Sequence, residues 1–262
     1  MKIRNLKGKE QGEVNLPAVF SGPVREDIVK RAFHSAMSHA RQPYGAKPEA
    51  GNRHSTYLSK KRREYRGTYG IGQSRVPRKV MSSQGTQFQW MGAEVSGTVG
   101  GRRAHAPKAE KKWGQKINKK ERKAAYASAL CAIFSEHTSK KHATPKNYPF
   151  IITDDFATLT KTSDVQDALE ALGFSEELQR TKEKRIRAGK GTARGRKYKK
   201  KVGPLIIAPE DATIHRAARN IPGVTTTTPQ KVSILDLAPG AKPGRLTILT
   251  ESAVKELGDQ FE

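Results

Sequence analysis

The sequence predicts an α/β fold: a mostly parallel sheet flanked by helices, with a long extended basic internal loop and a second, shorter basic loop. Three observations carry this reading. Short apolar runs such as Phe150-Ile151-Ile152 and Leu205-Ile206-Ile207 alternate with amphipathic stretches at helical spacing, the pattern of buried parallel strands covered by helices. The stretch 41–116 holds seventeen Lys and Arg, four acids and eleven glycines, and it lacks the period of a packed element. The stretch 180–201 holds twelve Lys and Arg against Glu183 alone.

The location of the charge says more than its total. The chain carries a net +25, of which the two stretches supply +13 and +11. The remainder is a nearly neutral body with two cationic arms. That asymmetry points to phosphate binding rather than to a general solubility role, and binding through either arm is expected to weaken steeply with salt. We therefore divide the chain into a globular α/β domain (1–40 and 117–262), an extended RNA-binding loop inserted in it (41–116) and a second basic loop (180–203). Without the arms, roughly 160 residues remain, enough for one domain with a real core. The single cysteine, Cys131, has no internal partner, which favours a reducing compartment. The first twelve residues lack a signal-peptide core, and the most apolar run, 124–134, is too short to span a bilayer. The expectation is a cytoplasmic protein with no membrane partner.

In chain order, 2–5 and 13–16 are predicted as short strands joined by a polar turn. Ser21-Gly22-Pro23 supplies a helix start, with Glu26 and Asp27 at the positive end of the dipole. Ile28, Val29, Ala32, Phe33, Ala36, Met37 and Ala40 form its apolar stripe, and the helix ends before Pro43. After the first arm, Asn118 and Glu121 have the spacing of a capping box. That helix is expected to run to about His137. A strand at 150–153 follows, then a short helix from Ser163 stopped by Gly173. Beyond the second arm come a strand at 204–208, a short helix near 214–218 capped by Asp211, and strands at 224–227 and 246–249. A last helix, capped by Thr250, runs through Val254 and Leu257 with Gly258 after it.

In the arms, glycines let backbone approach a sugar-phosphate surface, and arginines fork onto phosphate. Tyr57, Tyr65, Tyr69, Phe88, Trp90 and Trp113 are suited to stack on unpaired bases. Such an arm buries too little apolar surface to order itself, so it is expected to be mobile alone and ordered by its partner. Candidate RNA-binding residues in the first arm are Arg53, Lys60, Lys61, Arg62, Arg63, Arg66, Arg75, Arg78, Lys79, Arg102, Arg103, His105, Lys108, Lys111, Lys112 and Trp113. In the second they are Lys184, Arg185, Arg187, Lys190, Arg194, Arg196, Lys197, Lys199 and Lys200.

Other chemistry is poorly supported. Gly70-Ile71-Gly72 lacks the third glycine of a dinucleotide fingerprint and follows a basic run rather than a strand. The pairs His34/His39 and His137/His142 are spaced wrongly for two ligands on one helical face, and no second cysteine assists. Asp154-Asp155 after a strand reads as capping or loop solvation. The expectation is no enzyme, no metal and no cofactor. Two alternatives remain open: a DNA-compacting protein, which the charge permits, and an RNA-acting enzyme using Asp154 or Asp155.

Several motifs together resemble one family. These are Leu16-Pro17-Ala18-Val19-Phe20 with Val24-Arg25-Glu26-Asp27-Ile28-Val29, Arg41-Gln42-Pro43-Tyr44, Gly70 through Val76-Pro77-Arg78, and Gly100-Gly101-Arg102-Arg103-Ala104-His105. Near the end stand Ile234-Leu235-Asp236-Leu237-Ala238-Pro239-Gly240 and Gly244-Arg245 through Leu249-Thr250-Glu251-Ser252-Ala253. In this order, over essentially the full chain, they resemble the universal large-subunit ribosomal proteins number four, in their archaeal form. One departure is Ala106-Pro107, where the family usually has two prolines. The resemblance implies a structural protein of the large ribosomal subunit that binds 23S-type ribosomal RNA and supports assembly. It also implies that the tip of the long loop, about 71–88, helps line the peptide exit tunnel. The tunnel-lining residues would be Ile71, Gln73, Arg75, Arg78, Lys79, Met81 and Gln84. Implied partners are large-subunit ribosomal RNA, neighbouring ribosomal proteins including the universal number twenty-two at the tunnel constriction, and the passing nascent peptide.

Overall fold

The computed structural model describes residues 1–135 and 142–261. The chain divides into two compact units, one made of Met1–Ala40 with Gly114–Glu262 and the other of Arg41–Trp113. In chain order, β1 (Lys2–Arg4), β2 (Glu10–Glu13) and α1 (Glu26–His39) come first. The second unit carries β3 (Arg78–Gln84) and β4 (Gln87–Gly92). Then follow α2 (Lys119–Phe134), β5 (Ile151–Ile152), α3 (Thr162–Ala171), α4 (Ser175–Lys182), β6 (Arg185–Ile186), β7 (Tyr198–Lys199) and β8 (Leu205–Ile207). The chain closes with α5 (Ile214–Ala217), β9 (Thr225–Thr227), α6 (Ile234–Leu237), β10 (Thr247–Thr250) and α7 (Glu251–Phe261).

The first unit is built on a six-stranded sheet in the order β2-β1-β5-β10-β8-β9, parallel except for the antiparallel β1–β2 edge. Helices cover both faces, so its central strands read as unbroken apolar runs. Successive residues feed opposite cores. Ile151, Leu205, Ile207 and Leu249 join Val29, Leu130, Leu237, Val254 and Leu257 on one side. Ile152, Ile206 and Ile248 join Phe156, Val165, Leu169, Phe174 and Ile214 on the other. The register keeps the alternation in phase, because Leu249 pairs with both Ile151 and Ile207 while Ile248 pairs with Ile206. A one-residue slip would exchange the two sets.

Local chemistry explains several boundaries. Gly173 sits at φ +91° after α3. Its N–H donates to the Glu170 carbonyl and that of Phe174 to the Leu169 carbonyl, both at 3.0 Å, the paired bonds that close a helix on a left-handed glycine. Thr250 caps α7 as expected, its Oγ1 accepting from the Ala253 N–H at 3.4 Å. Asp154 braces the same helix end, accepting from the Ser252 N–H at 3.0 Å and from its hydroxyl. One of the two carboxylates considered for catalysis, Asp154, is thus engaged as a helix-end acceptor. Cys131 is buried and its thiol donates to the Val19 carbonyl at 2.9 Å. Burial pushes that thiol up from its usual value, which marks a packing residue rather than a reactive one.

Other expectations need correction. The second strand is β2 at Glu10–Glu13, not 13–16, because Asn5 Oδ1 accepts from the N–H groups of Lys7 and Lys9 and tightens the turn. Helix α1 begins at Glu26 rather than near Pro23: a 3-10 turn at Ala18–Phe20 engages the Ser21 N–H, and the Arg25 N–H donates to Ser128 Oγ on α2 at 2.6 Å. No capping box forms at Asn118; Glu121 pairs instead with Arg31 at 2.8 Å. Helix α2 ends at Phe134, and His137 lies outside the described residues. Thr213, not Asp211, precedes α5. Gly258 does not follow α7 but lies inside it, buried, where a Cβ would stand 2.8 Å from Pro17 Cγ. Helices α4 and α6 were not anticipated. Nor was the β3–β4 hairpin, which gives a packed element to a stretch read as having none.

Candidate nucleic-acid interface

The second unit, Arg41–Trp113, is two limbs running antiparallel. The Ala46 N–H donates to the Pro107 carbonyl at 2.8 Å, and Gly51 lies against Arg102. Gly51 has φ +85°, and a Cβ there would come within 2.5 Å of Arg102 Cα, so the limbs approach this closely only with glycine at that position. Further along, β3 and β4 pair across a two-residue turn, Gly85-Thr86, with Gly85 at φ +56°. A first turn residue with positive φ is what a tight hairpin of this twist demands. Among the described residues of this unit only Ser59, Thr68, Arg78 and Ala93 are buried, so almost no apolar core holds it together.

Aromatic and cationic side chains supply contacts in place of a core. Trp113 lies 4.8 Å from Tyr44, with Arg41 over its ring at 4.4 Å and Lys111 at 5.2 Å. Phe88 and Trp90 share one face of the hairpin, 5.4 Å apart, and Tyr65 meets Phe88 at 5.5 Å. Arg66 covers Phe88 at 4.9 Å, and Arg75 covers Tyr69 at 4.4 Å. These rings, read in sequence as free stacking platforms, are already engaged with protein groups. Each exposed cation–ring pair stabilises by about 0.5–1 kcal/mol.

Most of the candidate cations do face solvent. Arg53, Lys60, Lys61, Arg62, Arg63, Arg75, Arg102, Arg103, His105, Lys108, Lys111 and Lys112 are exposed, while Arg66, Lys79 and Trp113 are half-buried. Arg78 differs. It is buried, and its Nη2 donates to the Ser74 carbonyl at 2.8 Å and to Ser74 Oγ at 3.2 Å, so in the chain alone it braces the turn before β3. Ile71, Gln73, Met81 and Gln84 are exposed around the hairpin and the glycine turn beside it.

In the first unit, the second basic loop forms a small antiparallel pair, β6–β7. Lys184, Arg185, Arg187, Lys190, Arg194, Arg196, Lys197, Lys199 and Lys200 are all exposed. Beside this pair opens a cleft of about 540 Å³, lined by His142, Arg180, Arg185, Lys199, Lys200, Lys201, Val202, Pro239, Gly240, Lys242 and Arg245.

Two buried charges shape the cleft. Glu177 is fully buried and accepts from Arg180 Nε at 2.7 Å, Arg180 Nη2 at 2.6 Å and the Ala143 N–H at 3.0 Å, with His142 Nδ1 at 2.7 Å. Burial alone would raise the carboxyl, but the hydrogen bonds from Arg180, His142 and Ala143 outweigh it and hold it down to about 2. Arg245 is buried as well. It donates to the carbonyls of Gly203 and Asp236 and to Thr225 Oγ1, each at 2.8 Å. Burial pushes its guanidinium down to about 10.

Sequence reasoning missed the cleft, and with it the parts played by Lys242, Val202, Pro239 and Gly240. Arg180, Arg185, Lys199, Lys200 and Lys201 carried a signal, as members of the basic run. Among the described residues no group of three or more His, Cys, Asp or Glu could hold a metal ion, and no helix is long and apolar enough to cross a membrane.

Known proteins match this sequence along nearly all of its length. The family model described as "Ribosomal protein L4/L1 family" matches residues 14–260. The chain is 42% identical over 261 residues to the "Large ribosomal subunit protein uL4" of Nanoarchaeum equitans, covering 98% of this chain and 97% of that protein. It is 41% identical over 263 residues to the protein of the same name from Halobacterium salinarum, covering 98% of each. To that of Archaeoglobus fulgidus it is 40% identical over 261 residues, again covering 98% of each. With a near full-length family match and three archaeal relatives at this identity, the chain belongs to the ribosomal protein L4/L1 family.

Proposed function

We propose that this chain is a structural component of the large ribosomal subunit that binds 23S-type ribosomal RNA through both basic loops and supports subunit assembly. As a member of its family it is a ribosomal structural protein rather than an enzyme. One observation carries the RNA reading: the unit Arg41–Trp113 exposes most of its cations and buries only Ser59, Thr68, Arg78 and Ala93. A segment built this way gains little from its own core and much from polyanion contacts. The end of that unit around the β3–β4 hairpin is the part we assign to the exit tunnel, beside the universal ribosomal protein number twenty-two. Its exposed Ile71, Met81, Gln73 and Gln84 and the half-buried Lys79 offer mixed, weakly adhesive chemistry, suited to a surface that a nascent peptide passes.

The test is a density-gradient profile of native lysate after a moderate-salt wash, probed for this chain. Co-sedimentation with the large subunit in near one-to-one amount is expected. Recovery at the top of the gradient, or with DNA, would overturn the reading and favour the DNA-compacting alternative.

A further inference from the structure

Strands β6 and β7 place Arg185 directly opposite Lys199. Like charges facing each other across an antiparallel pair destabilise it. Both side chains line the cleft, together with Lys200 and Lys242. None of the side-chain hydrogen bonds or ion pairs among the described residues involves these four cations. The other cations of the cleft are engaged: Arg180 on Glu177, Lys201 on Glu183, and Arg245 on backbone carbonyls. The cleft thus has a hydrogen-bonded floor and a cationic rim that forms no ion pair, with the Glu183 carboxylate the one acid whose charge Arg185 feels among the described residues. Its wall also offers apolar surface, with Val202 42% exposed beside Pro239. Its volume of about 540 Å³ falls within the roughly 300–1,000 Å³ of small-ligand cavities.

We propose that this cleft takes one unpaired nucleotide of RNA, its base against Val202 and Pro239 and its flanking phosphates on Arg185, Lys199, Lys200 and Lys242. The inference rests on the RNA-binding reading above and adds to it a single-strand site on the globular body. A base gives the apolar wall a partner that an inorganic anion cannot. Phosphates on either side relieve the Arg185–Lys199 repulsion. Exposed Arg187 and Lys197, just past the pair and joined by the Arg187 N–H donating to the Lys197 carbonyl at 2.8 Å, continue the cationic track beyond the cleft, as a polymer requires and a free nucleotide does not.

The experiment measures binding of full-length protein to a fluorescein-labelled oligouridylate and to an RNA duplex with no unpaired nucleotides, across a salt series. Three proteins are compared with the parent: R185S/K199S, V202W, and R62S/R63S in the first arm. All five positions are exposed, and thermal unfolding confirms that each variant folds. R185S/K199S is expected to lower oligouridylate affinity about tenfold and to reduce the salt slope by about 0.7 for each phosphate no longer neutralised, with little change for duplex. V202W is expected to weaken oligouridylate about fivefold or more with the slope unchanged, since it blocks the base and removes no charge. R62S/R63S should weaken both RNAs alike.

Equal losses on single strand and duplex in both cleft variants would overturn the proposal, as would an intact single-strand preference. In either case the RNA-binding reading survives. Failure of the parent to bind either RNA removes both. Displacement of oligouridylate by uridine monophosphate below millimolar concentration would assign the cleft to free nucleotides instead. Displacement by polyglutamate as readily as by unlabelled oligouridylate would assign it to an acidic protein segment.

Discussion

Arg180 holds the buried carboxylate of Glu177 with two arms of its guanidinium, Nε to Oε2 at 2.7 Å and Nη2 to Oε1 at 2.6 Å. The same Nη2 reaches the Val202 carbonyl at 2.6 Å. A single residue thus ties α4 to the chain entering β8. Because Glu177 is held down to about 2 from an ordinary 4.5, its contribution to stability is fully present above the unfolded value and is lost as pH falls through the folded one. Glu177→Gln should cost on the order of 2 kcal/mol at neutral pH. That cost should shrink as pH falls from about 4.5 toward about 2. Denaturant midpoints of parent and variant across that range provide the check, and a pH-independent difference would refute the account.

Arg245 donates to Gly203, Thr225 and Asp236, joining the approaches to β8 and β9 to α6. Arg245→Met leaves the buried Gly203 carbonyl and the half-buried Thr225 and Asp236 acceptors without this partner and should cost about 3 kcal/mol or more. Arg245→Lys should recover less than half of that loss, because one ammonium cannot reproduce a planar fork. Equal stability of the lysine variant and the parent, by urea unfolding, would show that charge rather than geometry matters here.

Gly258 faces Pro17 so closely that an added Cβ would lie 2.8 Å from Cγ and 3.0 Å from Cβ. In an open helix, Gly→Ala would stabilise by about 1 kcal/mol. Here overpacking costs about 1–3 kcal/mol and should win, so Gly258→Ala should lower the thermal midpoint. A raised midpoint would mean that Pro17 can yield.

The β3–β4 hairpin changes how the loop tip should be tested. Deleting 73–86 would remove the whole of β3 and leave β4 without its partner. Replacing 81–89 by Asn-Gly keeps the Lys79–Met91 and Val80–Trp90 pairs and supplies a turn of favoured type. This shortened chain should still enter large subunits, while passage of nascent peptides through the tunnel should change. Loss of incorporation in a gradient profile would contradict the division between RNA-binding limbs and tunnel-facing tip.

Limited trypsin digestion of the free protein should cut first between 53 and 112, where exposed Lys and Arg combine with a nearly absent core. The body, 1–40 and 114–261, should persist longer. Protection of the same sites in intact subunits completes the comparison. An arm as resistant alone as in the particle would show that its aromatic–arginine contacts suffice to order it.

The sequence by itself determined the architecture class, the charge of the two cationic stretches and the apolar strands at 150–153, 204–208 and 246–249. Those features are local: an unbroken apolar run or a basic run needs no distant partner to be recognised. Cap residues were less legible. Asn118 and Glu121 have the spacing of a box, yet Glu121 is drawn to Arg31 on α1, a competitor that spacing cannot show. The hairpin left a faint trace, Phe88 and Trp90 alternating with polar residues after Gly85, which the surrounding charge obscured. Only the tertiary structure decided that the arm's rings stack on its own arginines. It alone joined the chain near His142 to α4 through Glu177 and set Arg185 across from Lys199. Each of those outcomes depends on which distant segment returns to satisfy a buried or charged group. That is fixed by packing of the whole chain and not by any stretch of it.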